Sequence, residues 1–319
     1  MKSAYRQRKQ ELRELGFGSK TTENIQRALN RDGSFNRQRT GENFLDSFEL
    51  YHWLISSSWK KFILVVALWY FVTNLIFALL FQWAGPDGIG GIVANNPSDK
   101  FWEIFFFSSQ TLTTLGYGRL APVSHLVSAI AAVESMFGLM FFALVTGLLY
   151  GRFSRPVAKI IYSSHGVIAP YKKISGFMLR VVNGKSGNLL EPQAEVVLSM
   201  KSGETQARIF ESLPLERNTI NFLPLSWTIV HPIDENSPLY GMTKEEFDQA
   251  DVEFIVIIKA YDETFAETVY SRTSYVGTEV KWGARFVPMI GIGSSGKRLL
   301  MIDKLDLLEE AVLPEVVSA

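Results

Sequence analysis

The chain has 319 residues, with 32 Lys and Arg against 32 Asp and Glu, no cysteine, and four scattered histidines, His52, His125, His165 and His231. That length suits two domains, zero net charge gives no argument for a polyanionic partner, and the lack of cysteine excludes structural disulfides and cysteine-ligated zinc while leaving the redox compartment open. Mean hydropathy is +0.10, high for a soluble protein, and the apolar residues gather in two blocks, as in a membrane domain joined to a soluble one.

Residues 1–43 are polar and basic, with Arg6, Arg13, Lys20, Arg27, Arg31 and Arg39 among them, and they lack the apolar core of a signal peptide. A solvated, partly mobile cytoplasmic arm is expected. Basic arms without a reading module are commonly just arms, so no nucleic-acid partner is expected.

Phe44, Phe48, Tyr51 and Ile55 share one face at the 3.6-residue period, which predicts an amphipathic helix over 44–57. It is too short to span a bilayer. A helix lying in the membrane interface and an ordinary surface helix both fit it, and the next segment favours the first.

Phe62 to Phe81 holds no charge, and Trp59-Lys60-Lys61 and Gln82-Trp83 flank it like interfacial anchors. A transmembrane helix is expected over about 61–83, with Asn74 bonding to a neighbouring helix. After a Gly- and Pro-rich loop, Asn96-Pro97-Ser98-Asp99 reads as a helix start: a cap, a proline at the first position and an acid in the first turn. The helix expected over about 97–111 is too short to span, and its aromatic wall (Phe101, Trp102, Phe105, Phe106) suits burial between spanning helices.

That helix runs into Thr114-Leu115-Gly116-Tyr117-Gly118, which matches the T-V-G-Y-G signature of potassium selectivity filters with Leu for Val. Five such letters alone occur more often in soluble turns. Irregular backbone at membrane depth is tolerated where protein buries it or where it lines a water-filled path. A second spanning helix is expected over about 125–152, with Glu134 as the one charge between Leu126 and Tyr150. An intramembrane carboxylate faces a cavity or a partner as a rule. Gly138 and Gly147 permit either close packing or a bend. Lys60 and Lys61 at one helix end, and Arg152, Arg155 and Lys159 at the other, place both termini in the cytoplasm by the positive-inside rule.

Beyond Pro156, β-branched runs such as Gly176–Val182, Ala194–Met200, Leu225–Val230 and Val252–Ile258 alternate with turn clusters. They predict an all-β sandwich over 157–305, followed by a C-terminal tail over 306–319. Gly291-Ile292-Gly293-Ser294-Ser295-Gly296 fits a dinucleotide fingerprint, yet the next residues, Lys297-Arg298-Leu299-Leu300-Met301-Ile302, read as a return strand, so a hairpin turn is expected. The chain contains no G-x-S-x-G, H-E-x-x-H or Walker A string, and no enzyme is expected.

This order resembles the inward rectifier potassium channels, in particular their bacterial homologues, over roughly residues 40–305. The strings Gly151–Pro156, His231–Tyr240, Ser271–Tyr275 and Val280–Gly283 carry the resemblance together with the filter. It implies a homotetramer in the cell membrane, a pore domain over 58–156 and an immunoglobulin-like cytoplasmic sandwich. Potassium would be held by the backbone carbonyls of Thr114, Leu115, Gly116 and Tyr117 and by the Thr hydroxyl, with Gly118 completing the filter and no other cofactor. Tyr150 falls at the family's helix-bundle constriction, Glu191 on a cation-attracting position of the cytoplasmic pore, and Tyr261 on its narrowing loop. Lys60, Arg152, Arg155 and Lys185 fall on positions that contact anionic lipid headgroups, phosphoinositide included. Their plain role is to set topology.

Three departures bear on function. Phe142 and Lys259 stand where strong rectifiers carry acids, so Glu191 remains, with Glu134 as a partial substitute, and weak block by intracellular polyamine or Mg2+ is expected. Gln110 stands where animal members brace the filter with Glu. Val157 and Ala158 replace lysines. The reading from a different class is a membrane-anchored sensor or interaction protein whose sandwich binds a ligand.

Overall fold

The structure, a computed structural model, describes residues 27–36, 49–154, 158–185, 187–201, 208–223, 226–292, 296 and 298–314. Arg155 and Pro156, residues 1–26 and 37–43 of the basic arm, and residues 44–48 of the expected interfacial helix lie outside them. The chain divides into two units, one of residues 40–155 and one of residues 1–39 with 156–319.

The first unit is helical: α1 (Leu50–Ser56), α2 (Trp59–Ala84), α3 (Pro97–Leu112) and α4 (His125–Phe153). Ser58 and Ser124 start α2 and α4 by accepting the amides of Lys61 and Val127. At ~1.5 Å per residue, helices of 26 and 29 residues exceed a ~30 Å hydrocarbon core. Leu64 on α2 and Leu139 on α4 are 67% and 64% exposed, so these apolar faces are not those of soluble core helices. The Asn96 side chain accepts the Asp99 amide at 2.7 Å and starts α3 behind Pro97. One face of α3 is buried against both long helices through Ile104, Phe105 and Phe107, packed with Phe77, Phe81, Val127 and Ala131. Two short strands, β1 (Ile89–Gly90) and β2 (Ala121–Pro122), join the loop before α3 to the segment after the Gly-Tyr-Gly turn.

The second unit is a β-sandwich. One sheet has the order β10 (Glu267–Val276), β9 (Glu253–Asp262), β6 (Leu189–Lys201), β7 (Arg208–Leu213). The other is built on β5 (Ile174–Asn183), which pairs with β3 (Ile160–Tyr162), β4 (Gly166–Tyr171) and β8 (Ser226–Ile233); β11 (Val280–Trp282) pairs in parallel with β4. Alternate residues of each strand turn inward, so Leu179, Val181, Val196, Leu198, Phe254 and Val256 form one core. The Phe177 and Phe254 rings stack across it at 3.7 Å. β13 (Ile290–Ile292) and β14 (Arg298–Leu300) pair antiparallel, so a strand and not the helix of a dinucleotide fold follows the glycine run.

Two expectations need correction. The sequence predicts a solvated, partly mobile arm, but residues 27–36 dock on the β unit. Leu29 is fully buried against Val197 and Ile255, and the buried carboxylate of Glu253 accepts the amides of Ala28 and Leu29. A tail was expected from residue 306, but β15 (Leu308–Glu310) pairs with β12 (Ala284–Phe286). The structure also contains a helix not anticipated, α5 (Lys244–Gln249), closed by a capping box between Thr243 and Glu246.

Candidate functional site

The loop Thr114–Gly118 follows the last turn of α3 directly. Thr114, Gly116 and Gly118 have φ of 57°, 52° and 82°, whereas Leu115 and Tyr117 are not in the left-handed region. Alternation of this kind turns successive carbonyls to one side of the strand and amides to the other. The amides face inward: Leu115 and Gly116 both donate to the Gln110 carbonyl, at 2.8 and 3.3 Å, and Thr114 donates to Thr111. Among the described residues, no carbonyl from Thr114 to Gly118 accepts a hydrogen bond. All five residues are exposed. The loop therefore presents a row of free acceptors at the carbonyl end of α3, where the helix dipole is negative. Such a row suits a bare cation.

The scaffold behind the loop is polar at a few points. Tyr70 on α2 and Ser109 on α3 share a 2.6 Å hydrogen bond. Past the loop, Arg119 pairs with Glu103 at 3.1 Å, and the Glu103 carboxylate also accepts the amides of Val93 and Ala94. This clamp ties the segment leaving the loop to α3 and to the preceding turn. Sequence reasoning passed over it, although an acid early in the short helix and a base just past Gly118 were visible. Gly138 on α4 meets the end of α3 so closely that a Cβ would overlap the Leu112 carbonyl, while a Cβ at Gly147 would meet nothing within 4 Å. Of the two glycines, Gly138 serves close packing.

Glu134 is corrected. It was expected to act among the pore acids, but its side chain is fully buried behind α3, with one carboxyl oxygen 2.5 Å from Ser108 Oγ. It reaches no open face. Phe142 and Tyr150 are 72% and 75% exposed, and with Thr146 they form one stripe along the second half of α4.

Arg152 is also corrected. It was expected to contact headgroups, but its guanidinium turns into the protein. It donates to the carbonyls of Leu54 (2.5 Å), Ile55 (3.1 Å) and Ser57 (2.7 Å) at the end of α1. The rings of Trp59 and Phe62 lie 4.7 and 4.6 Å from it. A cation at a helix C-terminus satisfies orphan carbonyls and opposes the dipole. Lys60 is exposed, and Arg155 lies outside the described residues.

In the β unit, β6 bulges between Leu190 and Gln193, and Glu191 at the bulge has φ of 46°. Leu190 lies opposite Tyr261 and Gln193 opposite Lys259, so the exposed Glu191 falls between Tyr261 and Lys259 on the neighbouring strand. Lys185 sits elsewhere, in a cleft of about 360 Å³ lined also by Arg31, Lys159 and Arg272, with Asp32, Tyr162 and Ser271. Part of that charge is engaged. Lys185 lies 3.7 Å from Asp262, Arg31 lies 3.5 Å from Glu279, and Arg31 donates to the Ser164 carbonyl.

The strings Ser271–Tyr275 and His231–Tyr240 have structural work. Ser274 Oγ donates to the Leu29 carbonyl and Thr273 Oγ1 to that of Arg31, so β10 holds the docked arm. Tyr275 donates to the Ser163 carbonyl at 2.8 Å, and burial pushes its hydroxyl up to about 12, keeping it a donor. His231 Nδ1 lies 2.7 Å from the Pro214 carbonyl, which only accepts, so Nδ1 carries the proton. Nε2 then accepts from Ser237, 2.7 Å away. Burial lowers the His231 pKa.

A family profile described as the inward rectifier potassium channel C-terminal domain matches residues 160–318, and one described as ion channel matches residues 64–155. The inward rectifier potassium channel Kirbac3.1 of Paramagnetospirillum magnetotacticum is 34% identical over 284 residues, covering 87% of this chain and 94% of that protein. Inward rectifier potassium channel 4 of Mus musculus is 30% identical over 274 residues, and that of Homo sapiens over 276. Each match covers 74% of this chain and 61% of the mammalian protein.

Proposed function

Because the chain belongs to the inward rectifier potassium channel family, we propose that it conducts potassium passively as a homotetramer in the cell membrane, with both termini cytoplasmic. Four copies of Thr114–Gly118 surround one axis. Their carbonyls and the Thr114 hydroxyl replace the hydration shell of the ion, and neighbouring ions drive each other onward. The observation that carries this reading is the alternation of φ along the loop, with the amides of Thr114, Leu115 and Gly116 held by α3 and the carbonyls left free.

Tyr150 forms the hydrophobic gate at the cytoplasmic end of α4, and the sandwich biases it. Glu191 and Tyr261 border the cytoplasmic pathway. With Glu134 buried, Phe142 in place of an acid and Lys259 beside Glu191, Glu191 is the acid left to these pathway positions, and block by spermine or Mg2+ is weak. Anionic lipid, phosphoinositide included, contacts the exposed Lys60, and the basic cleft holding Lys185 accepts a phosphate-bearing headgroup. A membrane-anchored sensor would not require a row of free carbonyls at the end of a buried half-helix.

The test is rubidium uptake into liposomes holding the purified protein. Uptake should be blocked by barium and should exclude sodium. Gly116→Ser and Tyr117→Ala should abolish the selectivity. A folded tetramer that passes no rubidium under varied lipid and pH would overturn the reading.

A further inference from the structure

We propose that Glu134 is a neutral carboxylic acid that donates a proton to Ser108 and thereby positions the filter-bearing helix. The inference deepens the filter reading and rests on it. It comes from counting protons. Ser108 has one hydroxyl proton, and three oxygens surround its Oγ: Glu134 Oε1 at 2.5 Å, the Asn74 carbonyl at 3.2 Å and Asn74 Oδ1 at 3.3 Å. Asn74, Ser108 and Glu134 are all fully buried in the chain. The Asn74 amide cannot be flipped to supply another donor, because Nδ2 donates to the Tyr70 carbonyl at 2.7 Å.

If Glu134 were a carboxylate, the Ser108 proton would go to it. Asn74 Oδ1 would then face only a lone pair. The second carboxyl oxygen, Oε2, has no partner, so a charge would sit half-solvated by one hydroxyl in an apolar interior. A protonated Glu134 removes both conflicts. Its O–H donates to Ser108 Oγ, Ser108 donates to Asn74, and each proton is used once. Oε2 remains an unpaired neutral carbonyl oxygen, a far smaller cost than an unpaired charge.

The chain of bonds crosses three helices, from α4 through α3 to α2. Its middle member lies two residues before Gln110, whose carbonyl holds the amides of Leu115 and Gly116. Ser109, the next residue, is tied to Tyr70. Glu134 is therefore a positioning residue: it touches no ion and acts through α3. The groups facing it are Ser108 from α3 and, through Ser108, Asn74 from α2, with Tyr70 linked to both helices through Asn74 and Ser109. Glu103 on α3 pairs instead with Arg119, which lies past Gly118.

The experiment uses the full chain in liposomes and three variants: Glu134→Gln, Glu134→Ala and Ser108→Ala. Infrared difference spectra between wild type and Glu134→Gln should show the carbonyl stretch of a protonated acid at neutral pH, present in wild type alone. Glu134→Gln, which keeps a donor, should retain rubidium flux and selectivity within about twofold, while Glu134→Ala and Ser108→Ala should lose about tenfold in one or the other, as expected for a broken buried hydrogen bond. Alkaline pH should reduce wild-type flux but not that of Glu134→Gln. The proposal is overturned if the acid band is absent, or if the Gln variant is as damaged as the Ala variant. Wild-type protein that shows the band but no selective flux would instead overturn the filter reading.

Discussion

Gly138 on α4 lies against the Leu112 carbonyl at the end of α3, with no room for a Cβ between them. The contact sets how near α4 comes to α3, the helix that carries the loop Thr114–Gly118. Gly138→Ala should therefore force the two apart and destabilise the protein by ~1–3 kcal/mol, the usual range for overpacking a tight contact. Gly147 meets open space, so Gly147→Ala should be neutral or stabilising by up to ~1 kcal/mol through helix propensity. Melting temperature in detergent, measured beside rubidium flux, checks the pair. Equal effects from both substitutions would count against the packing argument.

Arg152 closes α1 through three carbonyls. Arg152→Met keeps much of the stem and removes the donors, and Arg152→Lys keeps the charge but not the planar fork. Both should loosen α1. The chain has no cysteine, so a spin label on Ser56→Cys reports on α1 alone. The label should become more mobile in both variants; unchanged spectra would show that the clasp contributes nothing.

Phe142 is exposed on the stripe that includes Tyr150. In the proposed tetramer, Phe142→Asp places four acids at that level. Spermine block at positive potential should tighten by about tenfold, some 1.4 kcal/mol. Glu191→Gln in the wild-type background should reduce whatever shallow block remains. Currents in symmetric potassium, with and without spermine, decide both. Steep rectification in the unsubstituted channel would contradict the proposed weak block.

His231 is buried and neutral, and its pKa is lowered from 6.5 by desolvation. The unfolded chain takes up a proton at this position near pH 6.5 while the folded domain resists it. Stability is thus fully present above about 6.5 and is lost as pH falls towards the folded value. The loss from this one group approaches ~1.4 kcal/mol per pH unit within that window. His231→Gln should be less stable at pH 8, since the Pro214 and Ser237 bonds are disturbed, but its stability should fall less steeply between pH 6.5 and 5. Denaturation curves across that range measure the slope, and parallel pH dependence in both proteins would exclude His231 as a contributor.

Local pattern made much of this architecture legible. Hydropathy over Phe62–Phe81 and Leu126–Tyr150 marks two spans, because lipid allows few alternatives to an apolar helix. Asn96, Pro97 and Asp99 mark the short helix, because capping uses neighbours in sequence. The helix α5 could have been found the same way, from Thr243 and Glu246. The docked arm could not. Arg27 and Arg31 look like solvated charges until Ser274, Thr273 and Glu279, more than 240 residues on, provide their partners or those of their backbone.

For the candidate site, the order Thr-Leu-Gly-Tyr-Gly after a capped half-helix is a property of the sequence alone, and so is the family, since its strings are contiguous. The tertiary structure decided what the single charges do. Glu134 and Arg152 have the same letters whether they face a water-filled path, a headgroup or the protein interior. Only the packing of α1, α3 and α4 removed water from them and brought the partners, Ser108 for one and the α1 carbonyls for the other. Hydropathy and capping act between near neighbours and are written in order. Desolvation and the sharing of a single proton depend on which distant groups converge, and that is set only when the helices meet.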